Sequence, residues 1–318
     1  MDGAAVDMDG AAGDWIGRYL VQLETQRKLS PHTVLAYRRD LRELAALLDG
    51  AAWQDVVHAD IRRLAAKLHG QALNPRSIAR KLSSWRGFFH WLSRHLPIAA
   101  NPVEGVRAPK RAKSLPKALS VDDAVHLVAP RALAGAHPEP PALCDRAMFE
   151  LLYSSGLRVS ELAGLDLAYS AGALGWVDSA GAEVIVTGKG AKMRKVPVGR
   201  HALDALAAWL AVRSAPRDGS AALFLTSRGT RMSARVIQLR LKAHARQAGT
   251  AIDVHPHVLR HSFASHVLQS SGDLRAVQDM LGHASIASTQ VYTALDFQHL
   301  AAVYDKAHPR AGAKSRKG

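Results

Sequence analysis

Residues 255–266 read HPHVLRHSFASH and set His255, His257, His261 and His266 around a single Arg260. Four imidazoles in so short a stretch first suggest a metal. His257 and His261 are four apart and would share a face of a helix. Val258 and Leu259 follow His257, so the glutamate base of an H-E-x-x-H zinc site is missing. No cysteine ligand stands near, and Arg260 puts a fixed positive charge where a cation would sit. An anion suits the pattern better. Leu259, Phe263 and Val267 recur every four residues and should form the buried side of a helix. His257 and Arg260 share an edge near its N-terminus, where the helix adds partial positive charge and a guanidinium offers paired donors to phosphate. His266 falls toward the core side and is expected to be structural. His255 and His261 stay undecided.

Other stretches offer complementary groups. YSSGLRVSEL presents Arg158 after a Gly-Leu turn, with Glu161 three residues on. LGHASIASTQVYT presents His283 after Gly282 and Tyr292 nine residues later. VTGKGAKMRKVPV presents Lys189 in a turn. Taken singly, these read as a surface ion pair, a packed tyrosine and a solvated lysine. Together they hold what phosphoryl transfer needs, which is mostly positioning and charge. Two arginines can hold non-bridging oxygens, a tyrosine can attack phosphorus, and a lysine can protonate a departing oxygen. GKGAK lacks the G-x-x-x-x-G-K-[ST] spacing of a nucleotide-binding loop.

Composition points to the substrate. Lys and Arg number 42 against 27 Asp and Glu, a net charge of +15 in 318 residues. Such an excess predicts a polyanionic partner, nucleic acid before an anionic membrane surface. The single cysteine, Cys144, rules out an internal disulfide and fits a reducing cytoplasm. No apolar run approaches the ~20 residues of a membrane span. The start, MDGAAVDMDGAAGD, has no secretory pattern, repeats MDGAA, and allows Met1 or Met8 as first residue.

The elements that must position these groups are mostly helical. Residues 14–104 read as helices: DWIGRYLVQL, then SPHTVLAYRRDLRELAALLDG with Ser30 as N-cap and Pro31 behind it, a weaker helix near 60–69, and NPRSIARKLSSWRGFFHWLSRHL. The last carries an apolar stripe of Ile78, Leu82, Trp85, Phe89 and Leu92. Arg76, Arg80 and Lys81 lie off it, as do His32, Arg38, Arg39 and Arg42 on the helix before, giving two basic faces that are either solvated or phosphate-binding. RAPKRAKSLPK (107–117) holds five basic residues and two prolines and reads as a charged linker. Beyond it the chain should be mostly helical, with two strands, 183–187 and 193–198, around the Lys189 turn.

In order, Arg158, Lys189, His257, Arg260, His283 and Tyr292 match the six-residue signature of the tyrosine recombinase (phage-integrase) family. The chain closely resembles its bacterial XerC subfamily, over roughly residues 12–310 and markedly in LDFQHLAAVYDKAHPRA near the end. AHPEPPALCD (136–145) and DLAYSAGALGWVDSAGAEV (166–184) depart from the usual pattern without touching the signature.

The resemblance implies a mainly α, two-domain clamp. A disordered extension (1–13) would precede a SAM-like helical core-binding domain (14–106). The basic linker would lead to a mostly α catalytic domain with a small antiparallel β-hairpin or sheet (118–310), then a basic disordered tail (311–318). It implies a site-specific recombinase that works without metal, ATP or cofactor. Tyr292 would form a 3′-phosphotyrosyl link, Arg158 and Arg260 would hold the phosphate, and Lys189 would be the general acid. His257 would handle the tyrosine proton and, with His283, hydrogen-bond the phosphate, while Glu161 would orient the Arg158 side. The implied partners are a two-armed double-stranded DNA site, a XerD-like recombinase in a heterotetramer that resolves chromosome dimers at cell division, and a septal DNA translocase, with no membrane. Leu300, Val303 and Tyr304 at the end would dock on a neighbouring subunit. The rival readings are a monomeric type IB-like topoisomerase and a DNA-binding protein without chemistry.

Overall fold

The structure, a computed structural model, describes residues 8–27, 29–109, 118–129, 138–188, 192–250, 252–282 and 294–311. The chain divides into two compact units, 1–114 and 115–318.

The first unit contains four helices among the described residues: α1 (Met8–Thr25), α2 (Pro31–Leu48), α3 (His58–Gly70) and α4 (Pro75–Leu92). The starts of α2 and α4 follow the caps. The Ser30 hydroxyl accepts from the Thr33 N–H, and the Asn74 side chain accepts from the Arg76 N–H, each just before a proline. α1 begins at Met8, so residues 8–13 of the expected disordered extension are helical. The α4 stripe of Ile78, Leu82, Trp85, Phe89 and Leu92 is buried as its spacing predicts. It packs with Tyr19, Leu23, Leu41, Leu44, Trp53 and Phe88 into one aromatic-rich core.

The basic face of α4 is only partly a face. Lys81 is buried, bridging Asp40 at 3.4 Å and Glu43, and Arg80 also pairs with Asp40. Asp40 is itself buried, and its backbone carbonyl accepts from the Trp85 indole. These two cations therefore neutralise α2 carboxylates. His32, Arg38, Arg39, Arg42 and Arg76 are exposed.

The second unit places α6 (Pro140–Ser154) at its centre, where every residue from Ala147 to Ser154 is buried. The prolines of the 136–145 segment start this helix: Glu139 is its N-cap and Pro140 and Pro141 open it. Around it lie α5 (Val121–Val128), α7 (Val159–Ala163), α8 (Arg200–Val212), α9 (Ala234–Gln247), α10 (Pro256–Ser271), α11 (Leu274–Leu281) and α12 (Ala294–Ala307). The expected hairpin is part of a three-stranded antiparallel sheet, β1 (Gly175–Asp178), β2 (Glu183–Thr187) and β3 (Met193–Pro197), in that order. β1 falls in the unusual 166–184 segment; four residues bounded by glycine and aspartate carry too little pattern to announce a strand.

The chain end corrects an expectation. Leu300 and Tyr304 do not face outward for a neighbour but are buried in this unit's own core, where α12 packs on α10 and β3. The Tyr304 and Ser154 hydroxyls are 2.6 Å apart, and the Arg200 N–H donates to the Ala311 carbonyl at 3.0 Å. Arg310 closes the dock with a fork on Glu150, whose side chain is wholly buried. Removing one partner of a buried pair strands the other charge. Arg310→Ala should lower unfolding free energy by about 3–5 kcal/mol in urea titrations. Arg310→Leu with Glu150→Leu should recover most of it, because the stranded charge goes too. A loss below 1 kcal/mol (about a third of the smallest value expected for a buried pair) would show that the end is only loosely docked.

Candidate active site on the C-terminal end of α11

The site begins at a glycine. Gly156 has φ +56°, and a Cβ there would stand 2.4 Å from the Phe263 ring on α10. Only glycine allows the turn and lets α6 reach α10 this closely. Its carbonyl accepts from Arg260 Nη1 at 2.6 Å. Two residues on, Arg158 caps α7, and Glu161 at the third helical position accepts from its backbone N–H at 2.8 Å and from Nη1 at 2.8 Å. The i, i+3 pair seen in the sequence is thus a helix cap first, fixed by a five-residue helix.

α10 starts with His255 as N-cap and Pro256 behind it. Leu259, Phe263 and Val267 form the buried side that their spacing predicts. His266 is structural, as read: its Nδ1 lies 2.9 Å from the Tyr153 hydroxyl, and its Nε2 lies 2.9 Å from the Leu119 carbonyl. His255, His257 and His261 are exposed. The four imidazoles do not converge, and among the described residues no group of three or more His, Cys, Asp or Glu could hold a metal.

Helix α11 supplies the anvil. It ends on Gly282 in the left-handed region at φ +64°, turning its last carbonyls outward. Three successive carbonyls each receive one guanidinium. Met280 accepts from Arg194 Nε at 2.9 Å, Leu281 from Arg260 Nη2 at 2.5 Å, and Gly282 from Arg158 Nη2 at 3.3 Å. The partial negative charge of a helix C-terminus favours this gathering. Burial and the neighbouring Arg158 push the Arg260 guanidinium down to about 10, so it stays charged at neutral pH. Burial alone would raise the Glu161 carboxyl, but bonds from Arg194 and Arg158 outweigh it and hold the group below its usual range. One carboxylate therefore faces three guanidiniums, an excess of positive charge. The Arg158 side chain is 35% exposed and opens this charge to solvent. Each guanidinium has five N–H donors, so donors remain for an anion.

Arg158, Arg260 and the edge of α10 bearing His257 are thus in one place. Lys189, His283 and Tyr292 lie outside the described residues, as do Lys110, Arg111 and Lys113 of the linker. Arg194 had no part in the sequence reading. A signal for it existed: strand alternation puts Arg194 on the side of Val196, and both are buried while Met193 and Lys195 are exposed.

Comparison with known proteins agrees along the length of the chain. The Phage integrase family matches residues 126–299, and the Phage integrase N-terminal SAM-like domain matches 16–95. Tyrosine recombinase XerC 1 of Ralstonia nicotianae is 56% identical, covering 94% of this chain and 94% of its own. Tyrosine recombinase XerC of Ralstonia pickettii is 55% identical, with 98% and 99% covered. The fold is that of a lambda integrase dimer bound to a COC′ core site, at TM-score 0.66 and 17% identity over 88% of this chain and 99% of that one. It is also that of the Tn1549 transposon integrase in complex with transposon right end DNA, at TM-score 0.67 and 18% identity over 90% and 97%. Near-complete coverage at these identities means that this chain belongs to the phage integrase family and is a site-specific tyrosine recombinase of the XerC subfamily.

Proposed function

We propose that this enzyme cuts one DNA strand by attack of Tyr292 on the scissile phosphate, releasing a 5′-hydroxyl and leaving a 3′-phosphotyrosyl link. A 5′-hydroxyl of another strand then attacks that link, displaces the tyrosine and restores a phosphodiester. The bond energy stays in the phosphotyrosine, so neither step needs ATP. Arg158 and Arg260 stabilise the non-bridging oxygens as charge builds on phosphorus. Lys189 protonates the leaving 5′-oxygen. His257 takes the tyrosine proton and, with His283, hydrogen-bonds the phosphate.

The enzyme acts in the cytoplasm on a two-armed chromosomal site, in a heterotetramer with a XerD-like partner, resolving chromosome dimers at cell division under a septal DNA translocase. The exposed cations of α2 and α4 and the 107–117 linker contact the duplex. The XerC names of the relatives support this setting. Among the described residues no helix is long and apolar enough to cross a membrane.

One observation carries the chemistry: Arg158 and Arg260 are held side by side on the Gly282 and Leu281 carbonyls. On a nicked duplex that traps the cleaved strand, the enzyme should form an SDS-resistant adduct in EDTA and without nucleotide. Arg158→Ala and Arg260→Ala should each lower the single-turnover rate by about 10²–10³, the worth of one charge-stabilising donor. Loss of the adduct on chelation, restored by zinc or magnesium, would overturn the metal-free reading.

A further inference from the structure

Arg194 has no role in the mechanism above, yet it is the most firmly held cation of the site. It is 5% exposed on β3. Its Nη1 and Nη2 donate in parallel to the two oxygens of Glu161, each at 2.8 Å, and its Nε donates to the Met280 carbonyl at 2.9 Å. We propose that Arg194 is a positioning residue for strand cleavage: through Glu161 it holds the Arg158 guanidinium in register against the end of α11. This rests on the reading that Arg158 grips the phosphate.

The geometry is that of a shared carboxylate. Oε1 of Glu161 takes Arg194 Nη1 and Arg158 Nη1, and Oε2 takes Arg194 Nη2 and the Arg158 backbone N–H. Arg158 has only one side-chain bond to that carboxylate and a longer one to Gly282. Its direction therefore depends on where Glu161 is pinned. Arg194 does the pinning with a planar fork, which a lysine cannot reproduce. A buried ion pair adds little net stability over apolar packing, whereas the fork adds orientation. Residue 282 is shaped to the same end, since a Cβ there would stand 3.0 Å from Arg194 Cδ.

The test compares Arg194→Lys, Arg158→Lys and the double variant in the full-length enzyme. Thermal midpoint, DNA affinity and single-turnover cleavage at saturating protein are measured on substrates with oxygen or sulfur at the bridging 5′ position. Arg194→Lys should fold and bind DNA normally yet cleave about 10- to 100-fold slower, the cost of a misaimed group. The deficit should be equal on both substrates, since Arg158 serves the non-bridging oxygens. In the Arg158→Lys background the second substitution should cost less than about twofold, because both act on one interaction. Should Arg194→Lys not fold, Glu161→Gln carries the test with the same expected pattern.

A normal cleavage rate would overturn the proposal. So would deficits that multiply in the double variant, or a slow rate in a folded variant that merely follows lost DNA binding. Sulfur rescue would assign Arg194 to the hairpin bearing Lys189 and overturn it equally. An unimpaired Arg158→Lys would sink the reading of the site itself, whereas an impaired one beside a normal Arg194→Lys would sink this inference alone.

Discussion

Tyr292→Phe should bind DNA as the unaltered enzyme does and form no covalent adduct. The substitution keeps the ring and removes one hydroxyl, so packing and charge are unchanged and only the nucleophile is lost. The effect should be all or none, since the phosphotyrosyl bond is made through that hydroxyl. The chain has six tyrosines, and the structure narrows the substitutes. Tyr304 follows next in sequence, but it is 1% exposed, bonded to Ser154, and burial pushes its hydroxyl well above the ordinary tyrosine range. Tyr153 is fully buried with its hydroxyl beside His266, and burial raises it likewise. Tyr19 is 3% exposed and burial pushes its hydroxyl up to about 12, and Tyr37 is half-buried against the core of its own unit. Tyr169 is 69% exposed on the loop before β1, with its ring against Trp176. An SDS-resistant complex in the Phe variant would thus point to Tyr169, and peptide mapping of the adduct would decide it.

Lys189→Ala should separate two roles that a simple activity loss would merge. If Lys189 protonates the leaving 5′-oxygen, its removal should slow cleavage by about 10²–10⁴ on ordinary DNA. Replacing that bridging oxygen by sulfur changes the leaving group to a thiolate, whose conjugate acid has a pKa of about 8.5 against far higher values for an alcohol. A thiolate departs unprotonated, so the variant should cleave the sulfur substrate at nearly the normal rate. Arg158→Ala and Arg260→Ala should stay slow on both, because their charge serves the non-bridging oxygens. A lysine that only bound DNA would be insensitive to the bridging atom. Equal impairment on both substrates, at saturating protein, would therefore remove Lys189 from the general-acid role.

Local chemistry made much of the protein legible before any coordinates. Ser30 and Asn74 before prolines set helix starts because the side-chain oxygen and the missing proline N–H both answer the unpaired donors of a first turn. The α4 stripe and the Leu259, Phe263, Val267 ladder were readable because burial follows the helical period. The strands around Lys189 were readable because branched residues flank glycines. The six-residue signature named the family because its elements come in order.

What periodicity cannot state is which surface meets which. Lys81 lay beside the stripe and looked like a free cation; only the packing of α4 on α2 set it against Asp40 and Glu43. Leu300 and Tyr304 had the right spacing to dock, but spacing does not say on what, and the answer was their own α10 and β3. Arg194 is one of three charges in KMRK (192–195), and only the sheet turns it inward toward Glu161, 33 residues earlier in the chain. The gathering of Arg158, Arg194 and Arg260 on three adjacent carbonyls is likewise a tertiary fact. Helix ends, turn glycines and amphipathic faces arise from interactions within a few residues, so the sequence determined them. The aim of the guanidiniums arises from helices and strands brought together across more than a hundred residues, and only the fold could decide it.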